Sequence, residues 1–332
     1  PDNSESGSYD IDLKGEHFVL YVNNTSNNGD LYYYAFNSST KVFDLKFTIT
    51  NISGITNSKS LRKVKINGNG SRFIISDTNG NVFATVNDNN NGTLKVYDVN
   101  LTNYSYSLNS TLSSGNDSAL FGNSITIDNC GNRLAVSEPL EHKYYIYDYN
   151  SGTSSWSIPT GFTLDSKDNT SDRYNNVIEF NKLGDALFIG EYDDNDVEKG
   201  LVFGYYYDTS NSSWEEYQTL SGEFYDSTAN SAINQFSSDT SFTDSNSFGS
   251  LLSVSAQGTT LLVGSHELAS TSNNDNALII KDPVAATKTF TQLGLTGSQI
   301  IQLGLSPKEL VNQGGLDVSA MLQLNVKANT LL

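Results

Sequence analysis

Apolar residues recur along this chain in one register around five glycines. With Gly15, Gly70, Gly131, Gly184 and Gly258 as origins, the positions six and four residues earlier are Tyr9 and Ile11, Val64 and Ile66, Ile125 and Ile127, Ile178 and Phe180, and Leu252 and Val254. That alternation predicts a strand with one buried face. Three to five residues after each glycine stand Phe18-Val19-Leu20, Phe73-Ile74-Ile75, Leu134-Ala135-Val136, Leu187-Phe188-Ile189 and Leu261-Leu262-Val263, unbroken apolar triplets that predict a strand buried on both faces. All twenty-five positions are apolar in a chain that is 37% apolar overall, so the repeat is real. Six residues after the glycine come Ser76, Ser137, Gly190 and Gly264, with Tyr21 departing; a small residue there suits close backbone approach at a strand end.

Each unit continues into a third strand (Leu31 to Tyr34, Leu94 to Tyr97, Tyr144 to Tyr147, Leu201 to Gly204, Leu278 to Ile280). A fourth follows (Val42 to Phe47, Tyr104 to Leu108, Trp156 to Ile158, Trp214 to Leu220, Phe290 to Leu293). The origins are 55, 61, 53 and 74 residues apart. Four-stranded antiparallel meanders of that size predict an all-β fold, a β-propeller with blades near 5–50, 58–112, 119–165, 172–221 and 246–293 and an insertion at 222–245. Five repeats are visible and up to seven blades remain open. After Phe290 the period changes: Thr296 to Gln299 and Ser306 to Glu309 read as capping boxes and Asp317 as a third cap, so residues 294–332 are expected to form a tail of short helices. Helices of two turns need a surface to pack on, another chain or the propeller itself. We expect Leu295, Ile300, Leu305, Leu310, Leu316 and Leu322 to make that interaction.

Charge changes the picture by exclusion. The 332 residues carry 19 Lys and Arg against 37 Asp and Glu, a net −18, so neither nucleic acid nor an anionic membrane is an expected partner. Only 17% of residues are charged, leaving a surface of Asn, Ser and Thr. Cys130 is the sole cysteine, so there is no intrachain disulfide. No apolar stretch reaches the length needed to span a bilayer. The sequence starts at Pro1 without an initiator Met, as expected of a processed chain or a fragment.

Phe121-Gly122, Tyr174-Asn175 and Phe248-Gly249 lie ten residues before their origins, and Ser-Ser-Trp opens two fourth strands at Trp156 and Trp214. Together with the glycine turn, these residues resemble the FG-GAP type of blade repeat found in the integrin α-chain propeller and in many secreted bacterial, algal and viral proteins. The decapeptide Leu-Gly rhythm of the tail resembles short repeats of large algal and protist virus proteins. The family's Asp-rich calcium loop between the first two strands has no counterpart here, so calcium is not carried over from the resemblance.

Linear catalytic signatures are missing. His17, His142 and His266 fall in different repeats, and the chain holds no nucleophile elbow, phosphate loop or His-Glu-x-x-His. Asp193, Asp194, Asp196 and Glu198 crowd one loop that reads either as a solvated acidic loop or as a calcium site, the one cofactor considered. Glycosylation candidates are Asn24, Asn37, Asn51, Asn91, Asn100, Asn109, Asn169 and Asn211. The sequence therefore leads us to expect a non-enzymatic extracellular or virion-surface structural or adhesion protein whose tail docks it to other subunits of an assembly. A carbohydrate-binding propeller using Tyr, Trp156 and Trp214 is the alternative, and a propeller glycosidase the less favoured one.

Overall fold

The computed structural model describes residues 7–23, 29–50, 52, 63–77, 92–114, 120–166, 175–192, 200–221, 248–265 and 276–281. These form five antiparallel sheets whose strands follow chain order from the inside out. Blade 1 is β1 (Gly7–Ile11), β2 (His17–Asn23), β3 (Gly29–Asn37) and β4 (Val42–Ile49). Blade 2 is β5 (Val64–Ile66), β6 (Arg72–Asp77), β7 (Thr93–Asn100) and β8 (Ser105–Leu112). Blade 3 holds β9 (Ile125–Ile127), β10 (Arg133–Glu138), β11 (Lys143–Asn150), β12 (Ser155–Ser157) and β13 (Thr163–Asp165). Blade 4 is β14 (Asn175–Phe180), β15 (Ala186–Tyr192), β16 (Leu201–Asp208) and β17 (Ser213–Ser221), and blade 5 is β18 (Phe248–Val254), β19 (Thr260–Ser265) and β20 (Asn276–Lys281). The protein is a β-propeller, and the inner strands β1, β5, β9, β14 and β18 pack in that order around the axis.

One turn is repeated five times. The origin glycines all have positive φ, between 68° and 78°, where a side chain would be strained. Each donates its N–H to the carbonyl three residues earlier, on Asp12, Asn67, Asp128, Asn181 and Ser255. The side chains of those five residues then accept backbone N–H groups four or five residues ahead: Glu16, Arg72, Asn132 with Arg133, Asp185 with Ala186, and Thr260. A short oxygen-bearing side chain thus satisfies donors that the tight turn would otherwise leave bare. The same turns join neighbouring blades, because Gly68 N donates to Asn129 O, Asn129 N to Lys182 O, and Lys182 N to Ala256 O, at 3.0–3.1 Å.

Side chains clamp these junctions. Arg72 pairs with Asp98 of its own blade and donates to Gly131 O of the next at 2.6 Å, its guanidinium 4.0 Å from the Tyr149 ring centre. Arg133 repeats the arrangement one blade on, bidentate to Asp148, donating to Gly184 O at 2.9 Å and stacked on Tyr207. Between blades 1 and 2 the Tyr33 hydroxyl does the same for Gly70 O. Planar guanidinium geometry serves a carboxylate, a carbonyl and a ring at once. At the junction of blades 4 and 5 the position belongs to Ala186, whose Cβ simply abuts Gly258.

The apolar triplets are buried on both faces in blades 2, 3 and 4, as expected. Small residues at the end of the second strand answer to the next blade: a Cβ at Gly190 would lie 2.1 Å from Gly249 O, and one at Gly122 would lie 2.9 Å from Ser76 Cβ. Blade 3 departs from the expected fourth strand. Pro159 and Gly161, the latter at φ 83°, interrupt it, so β12 and β13 pair separately with β11 and Phe162 turns into the core. The expected strand at Phe290 to Leu293, the insertion at 222–245 and the helical tail lie outside the described residues.

Asp128 is a carboxylate where Asn67 and Asn181 do the same work. Burial pushes its pKa up to about 6, although the N–H groups of Arg133 and Asn132 and the Arg133 charge act the other way. The folded state therefore keeps a proton that the unfolded chain releases, and stability falls as pH rises from about 4 to 6, then stays lower. Asp128→Asn keeps the acceptor and removes the charge. Thermal unfolding is expected to show the variant up to about 3 kcal/mol more stable at pH 7 and level with wild type near pH 4; a loss at pH 7 contradicts this reading.

Candidate functional site

Inner strands are sheet edges, and edge N–H groups need partners. Here the preceding blade supplies them: Ser8 Oγ accepts from Val64 N and Asp10 Oδ2 from Ile66 N, while Ser124 Oγ accepts from Ile178 N and Thr126 Oγ1 from Phe180 N. These are the polar positions that alternate with the apolar ones of the first strand, and they face the propeller axis. Asp10, Lys65, Thr126 and Glu179 occupy one repeat position, five residues before their origin glycines, and Ser8, Lys63 and Ser124 another, seven before.

Blades 1 and 3 spend their axial groups on edge protection, whereas blades 2 and 4 do not. Lys65 Nζ crosses to Glu179 Oε2 at 3.0 Å, with side chains 30% and 20% exposed, so the pair is reachable from solvent. Burial disfavours the Lys65 ammonium, but the charges of Glu179 and Asp10 more than offset it and its pKa rises. Asp10 shifts upward too, because burial outweighs the pull of Lys65. Lys63 sits one step along β5, its backbone tied to Ser76 through Ser76 N→Lys63 O and Lys63 N→Ser76 Oγ. Burial and the neighbouring Lys65 push its pKa down to about 8. The axis therefore holds one lysine kept charged beside one that is partly neutral near physiological pH, an arrangement suited to acid–base chemistry.

Two other polar groups are structural. Asp12, Glu16 and His17 bring ligand atoms within 4.8 Å of one another. Both Asp12 oxygens are already engaged, by Glu16 N at 2.7 Å and His17 Nδ1 at 2.8 Å, so this is the blade 1 form of the repeated turn. At the far ends of β10 and β15, Glu138 and Glu191 are buried and accept the hydroxyls of Tyr145 and Tyr144 at 2.7 and 2.6 Å. Asn123 Nδ2 donates to Asn176 Oδ1 nearby, linking blades 3 and 4.

The residues singled out from the sequence fare differently. Asp193, Asp194, Asp196 and Glu198, the glycosylation candidates Asn24, Asn51, Asn91 and Asn169, and the tail residues Leu295, Ile300, Leu305, Leu310, Leu316 and Leu322 lie outside the described residues. Asn37 and Asn100 cap hairpin turns through Oδ1, and Asn211 bonds Asp208. Asn109 has its amide engaged between Asp98, Tyr149 and the Trp156 indole. Trp214 is buried, stacked on Phe180, and Trp156 packs beside Tyr149. None of the described ones brings chemistry together. The axial lysines and acids do, and sequence reasoning passed over them because each is a single polar residue in an alternating strand; two lysines at Lys63 and Lys65 in so acidic a chain were the available signal.

No protein-family model matches the chain, and no curated protein does. Solved structures do. A Bacteroides uniformis protein named as a candidate 6-phosphogluconolactonase superposes with a TM-score of 0.51 at 12% identity, over 83% of this chain and 68% of that one. A Bacteroides fragilis protein of the same candidate activity gives 0.50 at 12% identity, over 83% and 67%. The likeness is one of fold. It corrects two expectations: the propeller stands, but these two neighbours are named as candidate lactonases, and nothing in the likeness supports the FG-GAP or viral-repeat resemblance. A non-enzymatic structural, adhesion or virion-surface role is overturned as well, since proteins of this fold are named as enzymes. The physical reason is that a propeller assembles its site from inner strands of different blades, which a search for contiguous motifs does not detect.

If Lys65 and Glu179 hold each other across the axis, their losses overlap. Thermal unfolding of Lys65→Met, Glu179→Gln and the double variant is expected to show the double less destabilised than the sum of the singles by about 0.5–3 kcal/mol. Strict additivity would contradict the pairing.

Proposed function

We propose that this propeller is a hydrolase that opens a small sugar-derived lactone at its axis. The carrying observation is the pairing of Lys63, with its pKa lowered to about 8, with Lys65, whose charge Glu179 and Asp10 maintain. A lactone as substrate class is supported by the two Bacteroides proteins of the same fold, both named as candidate 6-phosphogluconolactonases.

The chemistry follows from the two lysines. The neutral Lys63 amine takes a proton from water as the water oxygen bonds to the lactone carbonyl carbon. Lys65 faces the oxyanion that forms and stabilises its charge. When the intermediate collapses, the ring C–O bond breaks and Lys63 returns the proton to the departing alkoxide, leaving an open-chain hydroxy acid. The hydroxyls of Ser8 and Ser124 and the amide-rich blade ends offer hydrogen bonds to a polyol.

Ring opening of δ-gluconolactone, followed by acid release in weak buffer, tests this. Wild type is expected to exceed the buffer rate, with kcat/KM rising with pH through about 8 as Lys63 loses its proton, and Lys63→Met is expected to lose about 100-fold or more while folded. Wild type at the buffer rate, or an unimpaired Lys63→Met, overturns the proposal.

A further inference from the structure

Exposure of the blade-packing positions shows where a neighbour is wanting. In blades 2, 3 and 4 the residues six and four before the origin glycine lie against the preceding blade and are at most 9% exposed. Their blade 1 counterparts, Tyr9 and Ile11, are 72% and 47% exposed. Phe18 touches Tyr9, Tyr34 and Phe43, so the outward face of blade 1 is a continuous aromatic surface. Val19, on the opposite face of the same strand, is fully buried against blade 2. Blade 5 mirrors this: Leu261 and Val263 are buried, whereas Leu262, pointing away from blade 4, is 41% exposed. Among the described residues the inner strands pack in the order β1, β5, β9, β14, β18, and β18 does not return to pack on β1. Both outer faces have the composition of an internal blade interface and continue it.

The occupant can be named from the chain itself. Fifty-one residues, 282–332, follow β20 on blade 5. At about 3.3 Å per extended residue, a dozen of them span some 40 Å, which leaves most of the segment free to pack. They contain ten leucines, with three lysines balancing three acidic residues, in a chain whose net charge is −18. A neutral leucine-rich segment meets an apolar face without charge repulsion, and its tether gives it a high effective concentration there. We propose that residues 282–332 cover the outward face of blade 1 and so close the arc between blades 5 and 1.

Limited trypsinolysis of the full chain tests this at Lys288, Lys308 and Lys327. Cleavage in wild type is expected to be roughly tenfold slower than in Tyr9→Asp. Leu108→Asp, at an exposed leucine of blade 2, is expected to behave as wild type. Hydroxyl-radical footprinting is the second readout: Tyr9 and Phe43 are expected to be protected in the intact chain and reactive once the segment is cut away. Equal cleavage of wild type and Tyr9→Asp, or Tyr9 already reactive in the intact chain, overturns the proposal. So does a dimer that Tyr9→Asp dissociates, which would assign the face to a second copy.

Discussion

The tight turn between the first and second strands of each blade sets the rest of the structure. Its glycine, at positive φ, reverses the chain within three residues, and an Asp, Asn or Ser side chain beside it satisfies the N–H groups that the reversal exposes. The glycine carbonyl is left pointing outward, and in blades 2, 3 and 4 the preceding blade donates to it through Tyr33, Arg72 or Arg133. One local device thus terminates a hairpin and registers a blade against its neighbour. A Cβ at Gly131 or Gly184 would strike the side chain of Asn67 or Asp128 of the preceding blade, so the spacing between blades is fixed at the same point.

Fixing blade against blade also fixes what reaches the axis. The first strand gives its apolar positions to the blade interface, so its polar positions must face inward. In blades 1 and 3 these are small or acidic groups that cap the next inner strand, and in blades 2 and 4 they are the charges that meet across the axis. Lys63 and Lys65 therefore lie on the same face of the inner strand of blade 2, partly buried because blades 1 and 3 close in on either side, yet still open to solvent. The perturbed acid–base behaviour is a consequence of propeller geometry acting on two residues.

Much of the fold was legible because burial on both faces imposes a strict apolar triplet and positive φ imposes glycine. The fourth strand of blade 3 was misread because Pro159 and Gly161 act on one strand only and have no counterpart in the repeat. The turn-capping residues were visible but diverse, Asp, Asn or Ser, and their identity as one position emerges only when their hydrogen bonds are seen. The site was the least legible part. A search for histidines, acid clusters and linear motifs led to Asp193 to Glu198 and to surface asparagines, whereas the axial groups come from residues more than a hundred positions apart, Lys65 and Glu179, joined by topology. The functional expectation failed for the same reason, since missing motifs carry little weight in a fold that builds sites from several blades.

One lysine at the axis titrates near neutrality while its neighbour two residues away remains charged. Reductive 13C-methylation followed by an NMR pH titration of the lysine methyl signals measures this directly. One resonance is expected to have a midpoint near 8 and to be lost in Lys63→Met, and the Lys65 resonance to titrate later than that of an ordinary lysine. A chain in which every lysine titrates above about 10 would contradict it.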